Sequence, residues 1–212
     1  AMGGEGSPKK TIDGIIHHSQ TTKNINYNIF GNEKELNEII KDLKGNSFKI
    51  FDTKEKILDT DSPLSAARKG KNSSMWKAIE SVNSKESDII ISAGNTGALM
   101  ATARYVLKML PGVDRPALFT RCPSPQGKPE TRMLDLGANV DSQPEHLVQF
   151  ATMGSIIATA VSGKSNPTIG LLNIGEEEIK GNETIKQTAQ LLSDMSELNY
   201  VGFVEGNDCF GG

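Results

Sequence analysis

The sequence predicts an α/β fold, a doubly wound and mostly parallel sheet with helices on both faces, and two observations carry that expectation. Apolar runs of strand length alternate with segments whose apolar residues recur at i, i+3, i+4 and i+7. Where an apolar run stops, Gly, Asn and Asp follow before the next helical segment, as at 92–97, 135–141 and 173–183.

In chain order, Ser7-Pro8 fits an N-cap followed by proline at the first helical position, and Ile12, Ile15 and Ile16 give that helix, to about His18, its apolar side. Ile25 to Phe30 alternates as a strand does, and Leu36, Ile39, Ile40 and Leu43 mark an amphipathic helix. Phe48 to Phe51 is a short strand, and Ser62-Pro63 repeats the helix-start signal. Ser73 and Ser74 cap a helix whose Met75, Trp76, Ile79 and Val82 point inward, which makes the lone tryptophan a core residue.

Asp88 to Ile91 reads as a strand, Ser92 to Gly97 as the turn after it, and Ala98 to Leu110 as a helix apolar around most of its girth, hence covered on several sides. Pro111, Pro116, Pro123 and Pro125 surround a possible strand, Ala117 to Thr120, while Arg115, Arg121, Lys128 and Arg132 crowd the same region. That region is either a flap beside a site or a surface crossing. Ser142 and Glu145 have capping-box spacing before a helix that carries Leu147, Phe150, Ala151, Gly154, Ala158 and Val161. Strand Thr168 to Asn173, a helix with Ile185, Ala189 and Leu192, and strand Tyr200 to Val204 complete the alternation. One α/β domain over 1–212 is expected, with a first strand upstream of Ala1 and further elements beyond Gly212.

Composition narrows the function. A net charge of -3 argues against a nucleic-acid partner, so affinity for anions has to come from local geometry. No apolar run approaches the roughly 20 residues of a membrane span. Cys122 and Cys209 lack metal-ligand spacing and read as reduced thiols, with a single disulfide left open. The P-loop pattern, the dinucleotide G-x-G-x-x-G and the G-x-S-x-G elbow are all missing from the sequence. Acyl transfer would therefore need a bound small molecule as nucleophile.

The turns suggest which. A helix that starts directly after a strand aims its first amides and the positive end of its dipole at open space, where an anion is favoured. Ser92, Asn95, Thr96 and Gly97 read as a phosphate cradle. Asp135, Asn139 and Asp141, then Asn173, Glu176, Lys180 and Asn182, and Glu205, Asn207 and Asp208 fall at further strand ends, which a parallel sheet gathers into one crevice. Any single loop could equally be ordinary turn chemistry. His146, in the first turn of its helix, either deprotonates or orients a nucleophile or is a packing and capping residue. Lys180 either pairs with Glu176 or Glu177 or neutralises charge on an acyl oxygen or phosphate. Arg68, Lys69 and Lys71 form either a solvated basic turn or an electropositive rim for an acidic ligand. His17 and His18 are expected to be exposed.

Several longer segments match one family in order: 1–4, 61–63, 72–75, 92–100, 114–117, 134–141, 144–150, 171–183 and 204–206. In these the chain resembles the PlsX family, the bacterial acyl-acyl carrier protein:phosphate acyltransferases of phospholipid synthesis. The resemblance implies transfer of a long acyl chain from the carrier's thioester to inorganic phosphate, giving acyl phosphate for a membrane-bound glycerol-phosphate acyltransferase. It implies a fold akin to phosphate acetyltransferases and the isopropylmalate dehydrogenase group, a homodimer, and a cytoplasmic protein in peripheral contact with the membrane. On this reading His146, Asn173, Glu176 and Lys180 are catalytic, with Ser92, Asn95, Thr96, Gly97, Asn139, Asp141 and Asn182 on phosphate and substrate. Arg68, Lys69 and Lys71 meet the acidic carrier, and no metal or other cofactor is expected.

Two departures stand out. Glu5-Gly6-Ser7 replaces the family's aspartate after the paired glycines, and the chain stops before the family's last elements. A short-chain acyl-coenzyme A phosphate transacylase and a non-catalytic carrier- or membrane-binding scaffold are the rival readings. A metal-dependent dehydrogenase is disfavoured because no tight pair of aspartates stands out.

Overall fold

The computed structural model describes residues 1–40, 47–125, 130–137, 139, 141–175 and 181–211, with the Lys69 side chain outside that description. The chain divides into two compact units, Ala1–Leu110 and Pro111–Gly212.

In the first unit, strand β1 (Asn26–Gly31) pairs in parallel with β2 (Ser47–Asp52), from Asn26 opposite Ser47 to Gly31 opposite Asp52. Helix α1 (Lys9–Thr21) and helix α2 (Glu33–Ile39) bring Ile12 and Leu36 against Ile29 of β1, all at most 3% exposed. Asn32 starts α2 by accepting the amides of Lys34 and Glu35. Helix α3 (Pro63–Lys69) is capped by Ser62 with Pro63 in its first turn, and α4 (Ser74–Asn83) by Ser73, both as the sequence predicts. Helix α5 (Thr96–Leu107) lays Ala98 against Ile57, Ala66, Met75 and Ile79, and Trp76 is buried.

Three expectations change in this unit. Ser7 does not cap α1: Pro8 occupies the cap position, and the Ser7 amide closes a turn onto the Gly4 carbonyl at 3.0 Å. Residues 88–91 form no strand, because no described backbone pairs with them, and Ile89 and Ile91 stand 73% and 88% exposed. Only Ile90 turns inward, since the amides of Glu86 and Ser87 fold back onto the Ser81 carbonyl and redirect the chain. Finally, α5 buries one side, not its whole girth. Ala98 and Thr102 are its buried residues, while Tyr105 and Leu107 are 51% and 41% exposed.

In the second unit, β3 (Phe119–Cys122) and β4 (Thr131–Leu134) pair antiparallel, with Phe119 opposite Leu134 and Cys122 opposite Thr131. The connection between them is too short for a parallel crossover. Helix α6 (Pro144–Ser162) packs on β4, with Gly154 over Leu134, and ends at Gly163 in left-handed conformation. Strand β5 (Thr168–Leu172), helix α7 (Glu183–Ser193) and strand β6 (Asn199–Val204) make a parallel β-α-β unit, followed by a 3-10 turn, Asp208–Phe210. The α/β class and the parallel pairing agree with the sequence. Among the described residues the strands lie in three two-stranded pieces.

Candidate functional site

In the first unit three turns meet beside the start of α5. Asn95 carries the junction: its Oδ1 accepts the Ala98 amide at 2.9 Å, and its Nδ2 donates to the carbonyls of Leu58, Asp59 and Asp61 at 3.1, 3.2 and 2.9 Å. A side chain at Gly4 would strike the Ala93 carbonyl and one at Gly3 the Ile57 carbonyl, so the opening glycines lie against the same turn. Gly97 is small for a similar reason, since a Cβ there would sit 2.8 Å from Pro63 Cγ. Ser92 accepts the Gly94 amide through Oγ. The cap takes the Ala98 amide and leaves those of Thr96 and Gly97 without a partner inside the helix. Near Asp61 lies a cavity of about 320 Å³, bordered by Glu55, Asp61, Ser65 and Ser73.

Arg68 and Lys71 are exposed at and just beyond the end of α3. Lys69 is in the same helix, but its side chain lies outside the described residues.

In the second unit the turn between β4 and α6 is tied down by Asp135, held at φ 65°. Its carboxylate accepts Asn139 Nδ2 on Oδ1 and Ser142 Oγ on Oδ2, each at 2.9 Å. Asn139 Nδ2 also donates to the Pro116 carbonyl at 2.9 Å, so both of its amide protons are engaged. Arg115 donates to the Asp141 carbonyl, and the Asp141 side chain is exposed. Helix α6 starts one residue later than the Ser142–Glu145 spacing suggests. Gln143 is its N-cap, and His146 reaches back so that Nδ1 accepts the Gln143 amide at 3.0 Å. A ring nitrogen that accepts carries no proton, so His146, when neutral, holds its proton on Nε2.

Asn173 and Asn182 come together at the carboxyl end of β5, where Leu172, Ile174, Gly181, Ile185 and Gly206 complete the lining of a cavity of about 740 Å³. Asn182 caps α7 by accepting the Ile185 amide at 2.9 Å, and Asn173 Nδ2 donates to the Gly175 carbonyl at 3.1 Å. Gly181, at φ 93°, leaves no room for a Cβ beside Asn173 Oδ1. Glu176 and Lys180 lie outside the described residues, as does Lys128.

Of the described residues, those that the sequence put at strand ends thus fall into four turns, one in the first unit and three in the second, the last being Glu205, Asn207 and Asp208 after β6. Asp135 was visible only as one more loop carboxylate. Its left-handed backbone and double acceptor role were signalled by nothing but its place before Leu136-Gly137. The described residues contain no group of three or more His, Cys, Asp or Glu side chains set to hold a metal.

All of the chain, residues 1–212, matches the model of a family described as fatty acid synthesis protein. The chain belongs to that family. Curated members similar to it carry the name phosphate acyltransferase. Those of Pelagibacter ubique and Methylococcus capsulatus are each 46% identical, covering 100% of this chain and 64% and 62% of their own length. That of Paramagnetospirillum magneticum is 43% identical, over 100% of this chain and 61% of its own. The chain therefore spans a little under two thirds of these relatives, and the family segments quoted from its sequence run through both units.

Proposed function

We propose that the protein transfers a long-chain acyl group from the thioester of acyl carrier protein to inorganic phosphate, releasing acyl phosphate for phospholipid synthesis. A phosphate oxygen attacks the thioester carbonyl, the C–S bond breaks, and the carrier's thiolate leaves and takes up a proton. The observation that carries the reading, beside the family and its members' names, is the double use of polar side chains at helix starts. Asn95, Asn139 and Asn182 are bonded within the chain, so they serve an anion by holding turns and helix amides in place rather than by direct contact. His146 Nε2–H supplies a donor to a phosphate or acyl oxygen, an orienting role in place of the general base.

Leu172, Ile174 and Ile185 give the Asn173–Asn182 cavity an apolar wall suited to an acyl chain. Arg68, Lys69 and Lys71 supply the basic patch for the acidic carrier. The proposal also takes the whole protein to be a cytoplasmic homodimer in peripheral contact with the membrane. No described helix is long and apolar enough to cross one.

The test is direct. Full-length protein is incubated with phosphate and either acyl carrier thioester or acyl-coenzyme A, and acyl phosphate is trapped with hydroxylamine as the hydroxamate. Product from the carrier thioester supports the proposal, and product from short-chain coenzyme A esters alone replaces it with the transacylase. Absence of product from both donors, with carrier binding retained, favours the scaffold.

A further inference from the structure

The second unit holds two buried thiols that the proposed reaction does not use. Cys122 ends β3 and Cys209 lies in the 3-10 turn after β6; each is 5% exposed, and both are free. Cys122 stands opposite Thr131 of β4, and the 3-10 turn packs against β4, so the two cysteines lie on elements that share β4 as a neighbour. The pleat sets which way Cys122 points. Leu134 meets α6 at Gly154, and Phe119, its cross-strand partner, shares that face; Cys122, three residues on, points to the opposite face, away from the helix. The thiols also sense each other. Burial first, then the charge of Cys122 and of Asp208, holds the Cys209 thiol above its ordinary range.

We propose that Cys122 and Cys209 close into a reversible intrachain disulfide that clamps the end of β3 to the 3-10 turn and tightens the 205–208 turn beside the Asn173–Asn182 cavity. Two S–H bonds break and one S–S bond forms. The two protons and two electrons pass to a peroxide, which leaves as two waters, or to a diazene such as diamide, which becomes the hydrazine. A dithiol reductant reverses the step. In the reduced protein Cys209 Sγ donates to the Glu205 carbonyl at 3.7 Å, and the Glu205 amide donates to Asp208 Oδ2 at 2.7 Å. Oxidation removes the first of these bonds and replaces it with a covalent tie. Gly206, between the two bonded residues, lines the cavity. Two buried thiols, with Cys209 held above its ordinary range, react slowly, so the clamp answers sustained oxidation and not brief exposure.

Full-length protein is treated with diamide, its remaining thiols are blocked with N-ethylmaleimide after unfolding, and the peptides are mapped without reductant. The expected product is one peptide pair joining Cys122 to Cys209, absent from Cys122→Ser and from Cys209→Ser and released by dithiothreitol. Amide exchange over 205–208 should slow by about tenfold in the oxidised form. Recovery of both cysteines as maleimide adducts, or their pairing only with other thiols, overturns the disulfide. A disulfide that forms with exchange over 205–208 unchanged overturns the coupling to the turn.

Discussion

At the scale of single residues, Asn95, Asn139 and Asn182 are each hydrogen-bonded within the chain. Asn95→Ala removes a helix cap and the donor to three carbonyls at once. The expected result is a loss of about 2 kcal/mol in urea unfolding, together with a raised KM for phosphate. A raised KM without loss of stability would mean direct contact with the anion instead. His146→Glu keeps an acceptor for the Gln143 amide and places a negative charge where a donor stood. Its thermal stability should hold within about 0.5 kcal/mol while KM for phosphate rises by tenfold or more. Unchanged phosphate kinetics would remove His146 from the site.

Tyr200, also a single-residue case, has a buried hydroxyl with no hydrogen-bond partner among the described residues, and burial pushes its phenol above the ordinary 10. A group whose folded pKa is raised contributes stability below its unfolded pKa and loses it as pH climbs, so stability should fall as pH rises from about 10. Tyr200→Phe should remove that alkaline loss and be neutral or stabilising by about 1 kcal/mol at pH 7, as read from urea midpoints at both pH values.

At the scale of the element, two glycines with empty space around the place of a side chain separate backbone conformation from packing. Gly163 ends α6 at φ 68°, whereas Gly14 sits inside α1, and a Cβ at either position meets nothing within 4 Å. Gly163→Ala should cost about 1 kcal/mol, because alanine resists the left-handed cap. Gly14→Ala should gain about 0.5–1 kcal/mol, because alanine narrows the unfolded chain's freedom and favours the helix. Both are read from chemical denaturation, and equal signs would contradict the assigned backbone. Two helix starts were the most legible elements, since Ser62-Pro63 and Ser73 carry their own signals within four residues, whereas the same Ser-Pro signal at Ser7-Pro8 put the cap on the wrong residue and the Ser142–Glu145 spacing fell one residue early. The run at 88–91 was the least legible. Its isoleucines announce burial, but a strand exists only where a second backbone lies alongside, and there the chain has turned away.

At the scale of the whole molecule, charge should steer the partner. Arg68→Glu combined with Lys71→Glu, both exposed, should raise KM for the acyl carrier thioester at least about fivefold and leave KM for acyl-coenzyme A within about twofold. The contrast should shrink in high salt, and equal effects on both donors would remove the basic patch from carrier recognition. Family membership, the α/β class and the parallel pairs were all readable in the sequence, because they rest on periodicity and on long matched segments. The antiparallel β3–β4 pair was not, since its prolines and arginines fit a surface crossing as well as a hairpin.

What the sequence determined alone is local: the helix starts at Ser62-Pro63 and Ser73, the apolar sides of α1, α2 and α4, and which small polar residues end the strands. Tertiary structure alone decided how those polar residues are used. Asn95 finds its carbonyl partners 34 to 37 residues away, and Asn139 finds Pro116 at a separation of 23. A hydrogen bond depends on distance in space, and no spacing along the chain encodes which distant carbonyl will claim an amide proton.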